Sequence, residues 1–333
     1  WSMAEQAGYL DTVEQGLALH PEQAATSAAQ VDLLFWVLVA VCVALVLTLF
    51  ALVIGFSVRY RAGSRRPRPG AIAESLGRRI ELGGAAGLTV AFLALFAWAG
   101  TLYLYLYRDP GGDMLTVNVV AKQWMWKLQH PNGAREINTL HVPTGQRVRL
   151  RMTSQDVIHS FYIPAFRLKR DAVPRLYTTA WFEASKPGEY HLFCAEYCGT
   201  DHSRMRGKVV VMTPEDYAAW AQKNGEGEGP AQAGERLFTA YGCSGCHRGR
   251  GTVPAPRLDG VAGRRVALAA GGTVLADAAY LRDSMLLPNK HVVAGYEPVM
   301  PSYQGQIPED EILQIVTYLQ SLEPGDWTVE PRR

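Results

Sequence analysis

The sequence predicts a multidomain protein: a two-helix transmembrane hairpin, an all-β Greek-key domain and a small all-α domain. Three observations predict it. Two almost uninterrupted apolar runs cover residues 33–56 and 82–107. Between Met114 and Met212, short alternating runs are broken by turn signals such as Pro143-Thr144-Gly145 and Lys186-Pro187-Gly188. Beyond a Gly-rich linker, stretches of helical periodicity flank a compact Cys/His motif.

The chain has 333 residues, enough for two or three domains. Its net charge of +2 leaves no electrostatic footprint for nucleic acid. It opens on Trp1, as a processed signal peptide or a trimmed chain would. Residues 1–30 hold Glu5, Asp11, Glu14 and Glu22 but no Lys or Arg, and form an N-terminal extracytoplasmic segment. Residues 31–108 form the hairpin. At about 1.5 Å per residue each apolar run spans a bilayer core of about 30 Å. Between them lie Arg59, Arg61, Arg65, Arg66, Arg68, Arg78 and Arg79, opposed by Glu74. The positive-inside rule places that loop in the cytoplasm and both ends of the hairpin on the other side. Two buried helices of a soluble protein would need neither that length nor that asymmetry. Tyr103, Tyr105 and Tyr107 suit the aromatic belt at the membrane surface. Cys42 lies mid-span as a small apolar residue. Glu81 opens the second apolar run and is expected to cap its helix.

Residues 109–222 form the β domain, read as a sandwich or barrel. Val117, Val119 and Ala121 alternate with polar neighbours, as do Val148, Leu150 and Met152. Trp124 and Trp126 stand two apart, which on one strand puts them on one face. Thr213-Pro214-Glu215-Asp216 starts a helix that ends near Lys223. Residues 223–232, rich in Gly, are a flexible linker. Residues 233–333 form the last domain. A short helix over 233–241 leads into Cys243-Ser244-Gly245-Cys246-His247, the attachment motif for c-type haem. Cys243 and Cys246 would form the thioethers and His247 would ligate the iron. A closing helix over 308–322 carries Ile312, Ile315, Val316 and Leu319 on one face.

Four of the five cysteines fall in two tight motifs, a pattern of metal and haem attachment more than of a disulfide framework. The other motif is Cys194-Ala195-Glu196-Tyr197-Cys198-Gly199-Thr200-Asp201-His202-Ser203-Arg204-Met205. Thiolate and thioether select soft metals, and imidazole suits copper and zinc. Zinc would be content with four tight ligands, so Met205 after the His points to copper with a weak sulfur ligand. His159, in Asp156-Val157-Ile158-His159-Ser160, is the best candidate for a further ligand. A Cys/His zinc site and a Cys194–Cys198 disulfide are the alternatives. His20, His130, His141 and His191 show no ligand spacing and read as surface or hydrogen-bonded residues.

These two motifs, with Lys122-Gln123-Trp124-Met125-Trp126 and Leu168-Lys169-Arg170-Asp171-Ala172-Val173-Pro174, resemble subunit II of cytochrome c oxidase over residues 30–215. The last domain resembles a class I cytochrome c. The resemblance implies a cupredoxin-like fold holding binuclear copper A. Cys194 and Cys198 would bridge the coppers, His159 and His202 would cap one each, and Met205 and the Glu196 carbonyl would be weak axial ligands. The Glu196 carboxylate would reach a magnesium or manganese ion shared with subunit I. Trp124 would admit electrons to the copper domain, whereas Trp126 packs. Lys169, Asp171 and Asp156 match positions that face subunit I, or else lie on a solvated face. A Glu near position 81 can serve a proton route, but the pattern that should follow is replaced by Leu82-Gly83-Gly84-Ala85-Ala86, so a helix cap is the better reading. Met300, which lies 53 residues after His247, would be the second axial haem ligand, with Met285 and His291 as competitors.

The implied function is electron transfer within a terminal oxidase of the caa type, in a bacterial plasma membrane with the metal domains periplasmic. Electrons would pass from a cytochrome c or a quinol-oxidising complex through haem c and copper A to haem in subunit I, where oxygen is reduced. Subunit III is a further expected partner. A copper A-containing nitric oxide reductase and a stand-alone membrane-anchored carrier are the alternatives. A copper-assembly protein would not need the haem motif, and nitrous oxide reductase needs a second, His-rich copper site that eight scattered His do not supply.

Overall fold

The computed structural model describes residues 21–65, 73–225, 227–247 and 255–323. Ser27–Pro110 form one compact unit and the rest of the described chain forms another.

The first unit is two helices, α1 (Ala28–Arg59) and α2 (Glu74–Tyr107). Each is roughly 50 Å long at the α-helical rise, and both are long and apolar enough to cross a membrane. Their large side chains point outward; Val46, Phe50 and Phe96 are all more than 60% exposed. Such a surface suits lipid, not water. The Thr89 and Thr101 hydroxyls donate within α2 to the carbonyls of Ala85 and Trp98, so neither needs an outside partner. Glu81 is not a cap. The helix begins seven residues earlier, at Glu74, and Glu81 is an exposed residue two turns inside it. The apolar run marks a change of polarity, and the helix extends through the polar residues before it.

The second unit starts with a two-sheet sandwich. One sheet has the order β3 (Arg135–Ile137), β2 (Met125–Gln129), β1 (Leu115–Lys122), β5 (Arg147–Ser154), β8 (Thr178–Glu183). The other runs β4 (Thr139–Pro143), β10 (Arg206–Met212), β9 (Gly188–Cys194), β6 (His159–Ile163), β7 (Leu168–Ala172). Alternate residues meet between the sheets: Val117, Val119, Leu150, Met152, Phe161 and Leu192 are fully buried. Residues 21–26 add to this domain. The Ala24 N–H donates to the Ala165 carbonyl, that of Ser185 to Ala24, and that of Thr26 to Glu183.

Helix α3 (Pro214–Asn224) starts as expected, with the Thr213 hydroxyl accepting from the Asp216 N–H at 3.2 Å. Trp220 of α3 stacks on His141 at 4.6 Å, and Asn132 donates to the Ala221 carbonyl. Helix α4 (Pro230–Ala240) begins three residues before the expected 233, because Pro230 fits the first turn and Gln232 accepts from the Gly229 N–H. It crosses α7 (Glu309–Ser321) at Gly234, where a Cβ would stand 2.1 Å from the Gln314 carbonyl oxygen. Between them lie the short α5 (Cys243–His247), a hairpin of β11 (Arg265–Ala267) and β12 (Thr273–Leu275), and α6 (Ala278–Leu286). The hairpin is an addition to the all-α expectation; Gly271 and Gly272 supply its turn at φ +91° and +81°.

Candidate metal centre and haem cavity

The metal centre sits where β6, β9 and β10 end together. Cys194 closes β9, His159 opens β6 beside it, and Met205 immediately precedes β10. Residues 195–205 loop between β9 and β10, carrying Cys198 and His202. The structure brings all six predicted ligand groups to one place. The two Sγ atoms are 3.7 Å apart. Cys194 Sγ lies 3.9 Å from His159 Nδ1 and 3.3 Å from the Glu196 carbonyl oxygen. Cys198 Sγ lies 3.4 Å from His202 Nδ1 and 3.9 Å from Met205 Sδ. His159 Nδ1 and Met205 Sδ are 3.1 Å apart. Both thiols are free, so the expected alternative of a disulfide is not what the structure contains.

The donor set calls for a cation. Burial opposes ionisation of both thiols. At Cys194 hydrogen bonds from His159 and the Ser160 backbone outweigh that, lowering the thiol pKa to about 6. At Cys198 burial and the adjacent Cys194 charge push it up to about 12. Two thiolates this close cannot both exist without positive charge between them, and softness selects a copper-like ion.

Around the donors, other residues fix their orientation. Asp156 Oδ1 is 2.8 Å from His159 Nε2, so Nδ1 is the nitrogen turned to the sulfurs. The other Asp156 oxygen accepts from the Gln123 N–H at 2.7 Å. The i, i+3 spacing of Asp156 and His159 is the sequence signal for this pair; Gln123 lies in the Lys122–Trp126 stretch that carries the resemblance, but no spacing there gives its role. The Gln123 side chain and the Trp124 indole N–H both donate to the Cys198 carbonyl, at 2.8 and 3.2 Å. Gly199 lies beneath them at φ +117°, where a Cβ would meet both side chains.

One expectation is corrected here. Trp124 and Trp126 do not share a strand face. Residues 123–124 form the turn between β1 and β2, which breaks the alternation. Trp126 is fully buried against Phe161, with ring centroids 4.9 Å apart, while Trp124 lies half-buried over the metal loop. The Glu196 carboxylate is exposed beside Tyr197. Lys169 and Asp171 pair on β7 at 3.1 Å, and Asp171 accepts from Ser160 on β6. His130 and His141 are hydrogen-bonded, as expected: both hold Glu136, at 2.7 and 2.5 Å, and His130 is fully buried while His141 is partly exposed. His20 lies outside the described residues.

The last domain is built around a cavity of about 730 Å³, lined by Cys243, Cys246, His247, Phe238, Ile315 and Leu319 among others. His247 Nδ1 donates to the Pro256 carbonyl at 2.7 Å, which leaves Nε2 with its lone pair for a metal. Met300, Met285 and His291 all line the cavity. Met285 belongs to α6 and is buried in its packed core; Met300 comes from a loop and is half-buried. A flat, largely apolar group with thiol-reactive edges and an iron at its centre fits this donor set.

Comparison with known proteins matches both domains. The family profile described as "Cytochrome C oxidase subunit II, periplasmic domain" matches residues 134–213, and that described as "Cytochrome c" matches residues 231–323. Cytochrome c oxidase subunit 2 of Alkalihalophilus pseudofirmus is 30% identical over 251 residues, 71% of this chain and 70% of the relative. The chain belongs to the cytochrome c oxidase subunit 2 family. The subunit 2 of Thermostichus vulcanus is 44% identical over 110 residues, a third of each chain. Among solved structures, the periplasmic domain of subunit II of cytochrome oxidase (CoxB) of Bradyrhizobium japonicum is 31% identical, with TM-score 0.33, covering 34% of this chain and 95% of that one.

Proposed function

We propose that this chain is the electron-transferring second subunit of a haem–copper terminal oxidase, passing electrons from a donor through covalent haem c and copper A to haem in subunit I, where oxygen becomes water. The observation that carries this reading is the presence, in one chain, of a six-group soft donor cluster and a haem-sized cavity lined by Cys243, Cys246 and His247. When bound, the two groups supply one-electron carriers with no proton chemistry of their own.

The residues would divide the work as follows. Cys194, Cys198, His159 and His202 would hold the two coppers, with Met205 and the Glu196 carbonyl as weaker donors, and the pair would supply a one-electron carrier. Asp156 holds the His159 ring, and the β6–β9 pairing holds the frame rigid, so little rearranges on a redox change. Trp124, bonded to the Cys198 carbonyl, is the point at which electrons enter the copper domain. In the haem domain Met300 would be the second residue to hold the haem iron, because it lines the cavity from a loop while Met285 is packed in the α6 core. The exposed Glu196 carboxylate reaches a magnesium or manganese ion at the subunit I surface.

Helices α1 and α2 cross the bacterial plasma membrane with the arginine-rich loop in the cytoplasm. Residues 21–26 and those from 111 onward belong to one compact unit, which fits an even number of crossings, and in this reading that unit is periplasmic. Subunit I and subunit III are the partners within the membrane. Purification from native membranes tests the reading. Two coppers sharing one unpaired electron, one covalent haem and a co-purifying polytopic chain that consumes oxygen are expected. Zinc at the cluster, a single cupric ion, or consumption of nitric oxide in place of oxygen would overturn it.

A further inference from the structure

The contacts between the copper domain and the haem domain are built, not incidental. Arg282, on α6, has only 2% of its side chain exposed. It donates through Nε and one terminal nitrogen to both Glu309 carboxylate oxygens, at the start of α7. Its other terminal nitrogen donates to the Arg175 carbonyl of the copper domain at 2.8 Å. The guanidinium carbon lies 5.8 Å from the centre of the Tyr177 ring, also of the copper domain. The next residue of α7, Asp310, accepts from Gln155 at 3.0 Å and lies 3.7 Å from Lys127. Gln314 is buried and donates to Gln129.

Each helix at this seam has two working faces. Arg282 binds the copper domain while its neighbour Leu281 lines the haem cavity; Gln314 does the same with its neighbour Ile315. Helices α6 and α7 are therefore a single wall between the cavity and the copper domain. Gln155 is next to Asp156, which holds the metal-centre residue His159. Cys246, at another edge of the cavity, is exposed.

We propose that the haem domain is clamped on the copper domain in one fixed seat by Arg282, Glu309 and Asp310, with the α6–α7 wall turned inward and the Cys246 rim left open to an external electron donor. The fused domain is thus a fixed relay, not a carrier that swings on its linker. A buried bidentate pair that also binds a backbone carbonyl and a ring is little screened by salt, unlike an exposed docking contact. The assignment of donor and acceptor sides rests on the proposed function; the clamp itself does not.

Hydrogen exchange on the purified full-length complex tests the clamp without reference to electron flow. Amides of residues 175–178 and 311–314 are expected to stay protected at low and high salt alike. In Arg282→Gln/Asp310→Asn they should exchange at least 10-fold faster, while amides at the centre of β5 are unchanged. If those seam amides already exchange freely in the native protein, with both domains folded, the seat does not exist. A second measurement reads the consequence. After photoreduction of the haem, electron arrival at copper should be a single first-order phase whose rate is unchanged by salt. A rate that falls several-fold between low and high salt would show a mobile domain and overturn the proposal. Lys127→Asp/Asp310→Lys, which exchanges these two charges and leaves Arg282 in place, should keep the seam amides protected; exchange as fast as in the Arg282→Gln/Asp310→Asn variant, with β5 still protected, would overturn the clamp.

Discussion

The two halves of the second unit build their candidate sites in opposite ways. In the copper domain the donors converge at one end of a sandwich whose core extends well beyond them: Val117, Leu150 and Met152 fill the space between the sheets, and Cys194, Cys198 and Met205 join that buried cluster at its end. A metal bound there would tie the 195–205 loop to a scaffold that extends far beyond it. In the haem domain the site is the core. Four short helices and a hairpin surround a void of about 730 Å³, far larger than protein interiors leave empty. Removing the group should therefore cost the copper domain a site and the haem domain its fold.

The largest effect expected follows from that contrast. Cys243→Ala/Cys246→Ala, which cannot attach haem, should abolish the cooperative melting transition of the haem domain, read by far-UV circular dichroism of the full chain. Cys194→Ser should lose the delocalised copper spin yet leave the transition of the sandwich within a few degrees. Equal losses in both domains would refute the comparison. Next in size is Gly234→Ala. Its Cβ would meet the Gln314 carbonyl at 2.1 Å and the Tyr318 Cβ at 2.7 Å, so backbone must move. A destabilisation of about 2 kcal/mol or more, confined to the haem domain, is expected from overpacking of this kind.

The same contrast explains how much could be read in advance. The metal motif was legible because five of its six groups lie within twelve consecutive residues and the sixth, His159, has its own short motif. The haem motif was legible for the same reason. What escaped was long-range. Arg282 and Tyr177 are 105 positions apart, and neither belongs to a pattern. The packing of residues 21–26 on the sandwich depends on backbone bonds that any small residues could make. The Trp124/Trp126 alternation failed because a two-residue turn carries no Gly or Pro to announce it. The span of α2 was misplaced because polarity, not helicity, changes at residue 82.

A smaller effect concerns acid stability. Glu136 is nearly buried between His130 and His141. Burial alone would raise its pKa, but the two imidazole donors and the His141 backbone N–H outweigh that and hold it below its ordinary value of 4.5. A carboxyl depressed in the folded state binds its proton more tightly when unfolded, so it stabilises the fold above the unfolded pKa. That contribution should disappear as pH falls below 4.5 through the folded value. Glu136→Gln should cost roughly 1–3 kcal/mol at neutral pH, as a broken buried hydrogen bond does, and should flatten the acid limb of a melting-temperature profile. A variant whose acid limb matches the native one would remove Glu136 as its source.

The smallest effect has the opposite sign. The Tyr177 hydroxyl is buried at the seam with no hydrogen-bond partner among the described residues, and burial pushes its pKa up. The ring is what the Arg282 guanidinium rests against. Tyr177→Phe keeps the ring and removes an unsatisfied polar atom, a change worth up to about 1 kcal/mol in favour of the folded seam. Exchange of the 311–314 amides should slow or hold steady, and the double-variant effect at Arg282 and Asp310 should persist. Faster exchange in Tyr177→Phe would mean that the hydroxyl has a partner, such as a bound water, and that the seam is held by a polar network wider than the Arg282 clamp.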